Sequence, residues 1–420
     1  MTSPVPESHA PLWRHPDFLK LWGGQTVSQF GAQITTLALP LTAVLFLHAS
    51  AFEMGVLGAL GMAPFLVVGL FLGVYVDRRR RRSLLIMADI GRTLLLAAVP
   101  VLYLMHRLSI GILYGEAFLL GSLTVLFDVA YQSYLPALIP KETLVDGNSK
   151  LEFTRAVAQI GGPGFAGFLA QWLTAPLALV ANALTYVVSV VSLLWIRGSE
   201  PEPAGSDGQG VFAQIREGLQ VVFGSRYLRA VAGCTGTANF FATLAQAVYV
   251  LYVVHRVGLH PGLLGVVFGV GSVGALVGAA ASGRLASRFG VGPVILGGIA
   301  VSAVGELLVP LARAPVAYGL PFLVGGSLVV SLGSTVYNIT QVSLRQALTP
   351  HRLMGRMNAS MRFVVWGVIP LGSLAGGLLG SHFGLRPTLV VAALGGLLAP
   401  LWIALSPTRR LVEQPKPIDA

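Results

Sequence analysis

The sequence predicts an all-α polytopic membrane protein, with twelve transmembrane helices arranged as two pseudo-symmetric six-helix bundles. Three observations carry that expectation. Of 420 residues, 54% are hydrophobic and only 11% charged, with a mean hydropathy of +0.75, whereas soluble domains carry about 25% charged residues. Apolar stretches of about 20 residues, the length that crosses a bilayer's hydrocarbon core, recur along the whole chain. Residues of the second half also repeat those of the first at a constant offset of 210.

The spans are expected near 19–47, 53–76, 84–105, 109–138, 151–173 and 176–196, then 228–255, 262–285, 293–312, 315–344, 358–381 and 386–406. Before the first, MTSPVPESHAPLWRHPDF lacks the basic-then-apolar pattern of a cleaved signal peptide, so the first span is expected to remain as a signal anchor. Between the second and third lies GVYVDRRRRR, residues 73–82, with five consecutive arginines. After the sixth, GSEPEPAGSDGQG (198–210) reads as a flexible linker. Phe212, Ile215, Leu219, Val222 and Phe223 then share one helical face, the pattern of a helix lying at the membrane interface. The expected divisions are 1–197 for the N-terminal bundle, 198–227 for the linker with its interfacial helix, 228–406 for the C-terminal bundle and 407–420 for a tail.

Charge assigns the sides. One set of span ends and loops carries 21 of the 28 Lys and Arg, the opposite set carries Arg107, Arg256, Arg313 and Arg386, and Arg92, Arg155 and Arg362 fall inside spans. Loops rich in Lys and Arg stay cytoplasmic, so both termini are expected in the cytoplasm and the protein in the cell's inner membrane. The net charge of +11 would suggest nucleic acid in a soluble protein. Here the arginine run sits at a span end and reads as a topology lock, so no nucleic-acid partner is expected. The single cysteine, Cys234, excludes an internal disulfide. His48, His106, His255, His260 and His382 gather at outer span ends, where polar caps are ordinary, and no metal site is expected.

The repeat aligns several features in one register. Gly55-Val56 meets Gly265-Val266, Gly73 meets Gly283, and Arg78 meets Arg288. Asn148 meets Asn358, Phe153 meets Phe363, and Gly162 and Gly167 meet Gly372 and Gly377. A duplicated unit of six spans points both halves the same way. The symmetry axis then runs along the membrane normal and the ligand site lies between the halves near the midplane.

Gln25, Gln29 and Gln33 lie four apart on one face of the first span, and Asn239, Thr243 and Gln246 occupy the corresponding part of the seventh. An amide facing lipid costs several kcal/mol. These groups therefore line a wet cavity or bond between helices, and two symmetry-related stripes favour the cavity. Phe30, Phe240, Tyr131 and Tyr337 are candidate walls, with Asn338 and Gln341 as further polar candidates. Asp89 with Arg92 and Glu152 with Arg155 have the i,i+3 spacing of local ion pairs. Asp128, Glu306 and Glu116, in that order, are candidate proton carriers, because a carboxyl shielded from water and lacking a cation is favoured in its protonated form. The competing reading for each is a structural acid.

On these residues the chain resembles the major facilitator superfamily over essentially its full length. GVYVDRRRRR is similar to that family's signature between the second and third spans. The resemblance implies a cytoplasmic gate made by Gly73, Asp77, Arg78, Arg81 and Arg82, with Gly283 and Arg288 in the second copy. The sequence departs at Arg80, where glycine is usual, and at Ser287, which replaces the acid. LWGGQTVSQFGAQITTLALPLTAV (21–44) and AVAQIGGPGFAGFLA (156–170) resemble the enterobactin-exporter and macrolide-efflux branch. Gly162, Pro163, Ala166 and Gly167 match the fifth-span motif of the family's exporters, with alanine at two glycine positions, Ala158 and Ala166. The fourth-span arginine signature of many proton antiporters is absent.

The expected function is secondary export of bulky amphiphilic small molecules of drug, macrolide or siderophore type, by alternating access in exchange for protons. A monomer in the bilayer is expected, with the proton gradient and no bound cofactor. No GxxxxGK followed by Ser or Thr is present, so ATP hydrolysis is unsupported. No nucleophile–base constellation suggests an enzyme. A lysophospholipid flippase of the same fold is the alternative within transport, and a non-transporting receptor or assembly partner is the alternative outside it.

Overall fold

The computed structural model describes residues 12–68, 72, 75–76, 79–140, 143–198, 219–350 and 353–412. Among the described residues, twelve helices build the two halves. They are α1 (Pro16–Phe46), α2 (Ala51–Val67), α3 (Arg81–Leu104), α4 (Ile110–Leu138), α5 (Leu144–Leu173) and α6 (Ala175–Trp195) in the first half. The second half holds α7 (Arg226–Tyr252), α8 (Pro261–Phe289), α9 (Val291–Glu306), α10 (Val316–Leu348), α11 and α12. The last two are broken, α11 into Met354–Gly367 and Ile369–Phe383 and α12 into Leu385–Gly396 and Ala399–Ala404. Pro370 and Pro400 open the second segments, as expected where a proline removes a helix hydrogen bond.

Local chemistry sets the ends. Ser50 and Glu53 form a reciprocal capping box at the start of α2, and Ser225 accepts from the Leu228 amide at the start of α7. Gly384, at φ 88°, makes the one-residue turn between α11 and α12. Its repeat partner Thr174 takes φ 70° at the same turn between α5 and α6, a conformation glycine adopts without strain and threonine does not. Helix α5 starts seven residues before the expected 151, because its first two turns, LVDGNSK, are polar and escape a hydropathy reading. The interfacial helix is described only from 219, where residues 219–224 are helical with Val222 buried. Phe212 and Ile215 lie outside the described residues.

Packing follows the repeat. In the first half α1 packs on α5 and α6, α3 on α4 and α6, and α2 on α4; in the second α7 packs on α11 and α12, α9 on α10 and α12, and α8 on α10. Adding six to each helix number of the first set reproduces the second. The two most extensive crossings between the bundles among the described residues are α2 with the second segment of α11 and α5 with α8, which the same rule interchanges.

The crossings are made by the glycines that the repeat had matched. A Cβ on Gly55 would lie 2.7 Å from Gly377 Cα, and one on Gly167 would lie 2.5 Å from Gly265 Cα. Small residues let helix backbones approach this closely in a membrane. The hydroxyl of Ser373 donates to the Gly55 carbonyl at 3.0 Å, and that of Ser272 to the Ile160 carbonyl at 2.5 Å. Ile160 is in the turn that Pro163 disturbs.

Among the described residues, buried apolar side chains form three clusters. One spans both bundles and contains Leu41, Val44, Met54, Ala166, Tyr186, Leu251 and Leu264. It lies at the end away from the arginine run, in the second half of α1 and the first turns of α2 and α8. The other two lie at the arginine end and belong to one bundle each, Phe18, Leu85, Tyr134 and Leu193 to the first and Leu228, Ile295, Leu344 and Met361 to the second. The bundles therefore share a core at one end and keep separate cores at the other.

Candidate functional site

The region between those separate cores is the candidate site. The amide stripes that flank it are turned mainly toward neighbouring helices. Gln25 is buried and donates to Ser189 Oγ of α6 at 3.3 Å. Gln29 and Phe30 are half-buried. Gln33 lies over Gly162 of α5, where an added Cβ would come within 2.5 Å of its own Cβ. The repeat equivalents behave alike: a Cβ on Gly372 would meet Thr243 Oγ1 at 2.3 Å. Asn239 donates to the Val365 carbonyl of α11 at 2.7 Å, a few residues before the helix breaks at Pro370. Thr243 bonds back to its own helix, to the carbonyls of Asn239 and Phe240. Phe240 meets Phe241 edge-on, and Gln246 is exposed.

The aromatic and α10 candidates divide. Tyr337 is 3% exposed, with its hydroxyl 2.6 Å from Thr235 Oγ1 of α7. It is packed inside the second bundle, against α7. Gln25 takes the alternative that the sequence left open, a bond between helices. A helical period fixes which residues share a face; it does not say which neighbour covers that face. Asn338 is exposed, and Gln341 is buried with Oε1 unpartnered among the described residues. Tyr131 is half-buried and stacks on Phe127, with ring centroids 5.9 Å apart.

Charged residues of the two bundles come within electrostatic reach of one another. The buried Asp89 and Arg92 are in contact, as their spacing suggested, and the Arg92 guanidinium lies 4.2 Å from the Phe127 ring centroid and 4.3 Å from that of Tyr186. Asp128 of α4 lies within electrostatic reach of Arg92, of Arg155 on α5 and of Arg362 on α11. It therefore does not lack cations, as its own helix suggested; they come from three other helices, one in the opposite bundle. Arg155 lies 3.8 Å from Glu152, and both are exposed. Arg362 lies over the Trp366 ring at 4.6 Å, and Trp366 meets Phe65 of α2 edge-on. At 1.5 Å per residue, Asp128, Arg155 and Arg362 all stand about 12–16 Å from the arginine end. Sequence reasoning gave Arg362 no role, although a cation inside a span is a functional signal in itself.

The other acids stand apart from this layer. Glu116 is buried toward the shared core, and neither of its carboxyl oxygens has a partner among the described residues. Glu306 faces α12, where a Cβ on Gly396 would lie 3.0 Å from its Oε2. Asp128 alone of the three has, among the described residues, cations of both bundles within electrostatic reach. Among the described residues no group of three or more His, Cys, Asp and Glu side chains could hold a metal ion.

The gate residues are partly visible. Gly73, Asp77 and Arg78 lie outside the described residues. Arg81 opens α3. Arg82 donates through Nε to the Leu193 carbonyl and through Nη2 to that of Leu194, both at 2.9 Å, closing the end of α6 within its own bundle. Gly283 has open space around it, and Arg288 lies over the neighbouring Phe289 ring. Of the fifth-span motif, Gly162 packs on α1, Ala166 is fully buried, and Gly167 makes the crossing with α8.

The comparisons with known proteins agree with this architecture. The model of a family described as transmembrane secretion effector matches residues 7–416. The chain belongs to that family, within the major facilitator superfamily. It is 28% identical to the multidrug efflux pump Tap of Mycolicibacterium fortuitum over 399 residues, 92% of this chain and 94% of Tap. It is 25% identical to the enterobactin exporter EntS of Salmonella typhi over 360 residues, 83% of this chain and 81% of EntS. The fold matches a bacterial homologue of the iron transporter ferroportin in its inward-facing state, with a TM-score of 0.69 and 17% identity over 94% of this chain and 99% of that one. A secretion-effector transporter has no bond to make or break. Its residues are to be understood by what they bind and how they let the bundles move.

Proposed function

We propose that this transporter exports bulky amphiphilic small molecules from the cytoplasm in exchange for protons, by alternating access. One observation supports the reading above the others: the bundles share a buried core only at the end away from the arginines. That arrangement suits a conformer open toward the arginine end. The excess of Lys and Arg at that end argues that it is cytoplasmic, with both termini there and the protein in the inner membrane. The names of Tap and EntS, a drug pump and a siderophore exporter, favour export of compounds of that kind.

Asp128 is the proposed proton carrier. Arg362 of the opposite bundle lies within its electrostatic reach, so in this proposal its charge is felt between the two bundles. Ionised, it draws the bundles together at the arginine end; protonated, it releases them. A ligand or proton can move such an equilibrium only by its differential free energy in the two states, and a charge facing a cation across a closing gap supplies one. Three arginines (Arg92, Arg155 and Arg362) balance three acids (Asp89, Asp128 and Glu152) in this layer, which suits a neutral, zwitterionic or weakly charged amphiphile.

The test is dye or drug transport in inverted membrane vesicles at two external pH values. Wild-type transport should collapse with a protonophore, and Asp128→Asn should lose its pH dependence. Undiminished pH-dependent transport by Asp128→Asn would remove Asp128 as the carrier. Transport indifferent to the protonophore would remove proton exchange altogether.

A further inference from the structure

A groove of about 720 Å3 on the flank of the second bundle, separate from the candidate site, is lined by Arg226, Arg229, Leu398, Leu401, Trp402 and Leu405, among others. It runs between the first turn of α7 and the second segment of α12, at the arginine end. Its size is within the range of small-molecule sites.

Its floor is fixed. The Trp402 indole donates through Nε1 to Thr237 Oγ1 at 3.0 Å, and the ring lies so close to the Gly233 backbone that a Cβ there would come within 2.5 Å of it. Leu398, Leu401 and Leu405 continue the apolar surface, and all three are exposed, Leu405 at 84%. At the groove's head stand two exposed cations. Arg229 reaches the Phe223 carbonyl at 3.5 Å, and among the described residues neither Arg226 nor Arg229 forms an ion pair with a carboxylate. Arg409 and Arg410 follow in the turn after Pro407, which also borders the groove.

A pair of uncompensated guanidinium groups above an aromatic and aliphatic ramp matches an amphiphile with an anionic head and an acyl tail. Tryptophan takes up this level at membrane surfaces, and basic side chains there attract anionic lipid. We propose that the groove binds one anionic phospholipid of the leaflet at the arginine end. The phosphate sits on Arg226 and Arg229, and one acyl chain runs along Leu401 and Leu405 over Trp402.

Native mass spectrometry of the full chain, titrated with dioleoyl-phosphatidylglycerol or dioleoyl-phosphatidylcholine, reads this directly. One phosphatidylglycerol should bind more tightly than any phosphatidylcholine. The double variant Arg226→Gln/Arg229→Gln should weaken that first binding roughly 30-fold, to the level of phosphatidylcholine, as expected for two contacts of about 1 kcal/mol each. Arg256→Gln/Arg313→Gln, at the other end, should leave it unchanged. Leu405→Gln, at a site too exposed to threaten folding, should weaken it less but measurably. Equal affinity for the two lipids, or no loss in both the arginine and the Leu405 variants, would overturn the proposal. Displacement of the lipid by an equal concentration of glycerol 3-phosphate would assign the site to a free phosphate and overturn it as well.

Discussion

Replacing Gly167 by alanine should open the crossing between α5 and α8. The added methyl carbon would stand 2.5 Å from Gly265 Cα, 2.8 Å from its nitrogen and 2.9 Å from the Pro261 carbonyl oxygen. Non-bonded carbons rest about 3.5–4.0 Å apart, and these are backbone atoms that no rotamer change can remove. The helices must therefore separate by about 1 Å. Overpacking of this kind costs about 1–3 kcal/mol, while alanine's better helix propensity returns at most about 1 kcal/mol. The clash wins. The net loss of about 1–2 kcal/mol falls only on the conformer in which this crossing is closed, and should shift the conformer ratio about 5- to 30-fold.

Spin labels at Arg107→Cys and Arg313→Cys, on exposed loops of the two bundles at that end, would report the change by pulsed electron paramagnetic resonance. The native Cys234 is buried and adds little background. Gly167→Ala should add a longer-distance population that Gly111→Ala lacks, since an added Cβ at Gly111 meets nothing within 4 Å. Identical distance distributions in wild type and both variants would refute the argument that these glycines hold the crossing shut.

Two further outcomes concern the charged residues. Arg92→Gln should destabilise the protein by about 3–5 kcal/mol, because it strands the buried Asp89. Adding Asp89→Asn should recover part of the loss, and Arg92→Lys should not, since an ammonium cannot lie flat between the Phe127 and Tyr186 rings; thermal unfolding in detergent measures all three. Arg82→Gln should lower stability by about 1–2 kcal/mol through the lost bonds to the Leu193 and Leu194 carbonyls. If Arg82 acted between the bundles instead, its loss would reduce transport with no change in the thermal midpoint.

The fold was legible because a hydrocarbon slab imposes length and composition on whatever crosses it. The offset of 210 went further, since the matched pairs Gly55/Gly265 and Gly167/Gly377 are the residues that touch at the crossings. The spacing of Asp89 and Arg92 also read correctly, because an i,i+3 pair needs only its own helix. Features that depend on a second helix did not read. Gln25 and Tyr337 turn into their own bundles toward Ser189 and Thr235. The cations around Asp128 come from α3, α5 and α11, at separations in sequence that no local pattern connects. The early start of α5 was hidden for another reason: helices continue past the hydrocarbon boundary, and hydropathy stops there.

The glycine crossings are also reciprocal. In the numbering of a single repeat, position 55 of one copy meets position 167 of the other, and 167 meets 55. That is an isologous contact, the relation found between the subunits of a two-fold homodimer. A lone six-helix unit bearing both glycines would thus carry the two complementary faces of its own partner. Joining two such units in one chain would need no new junction, because the reciprocal faces are already present in each.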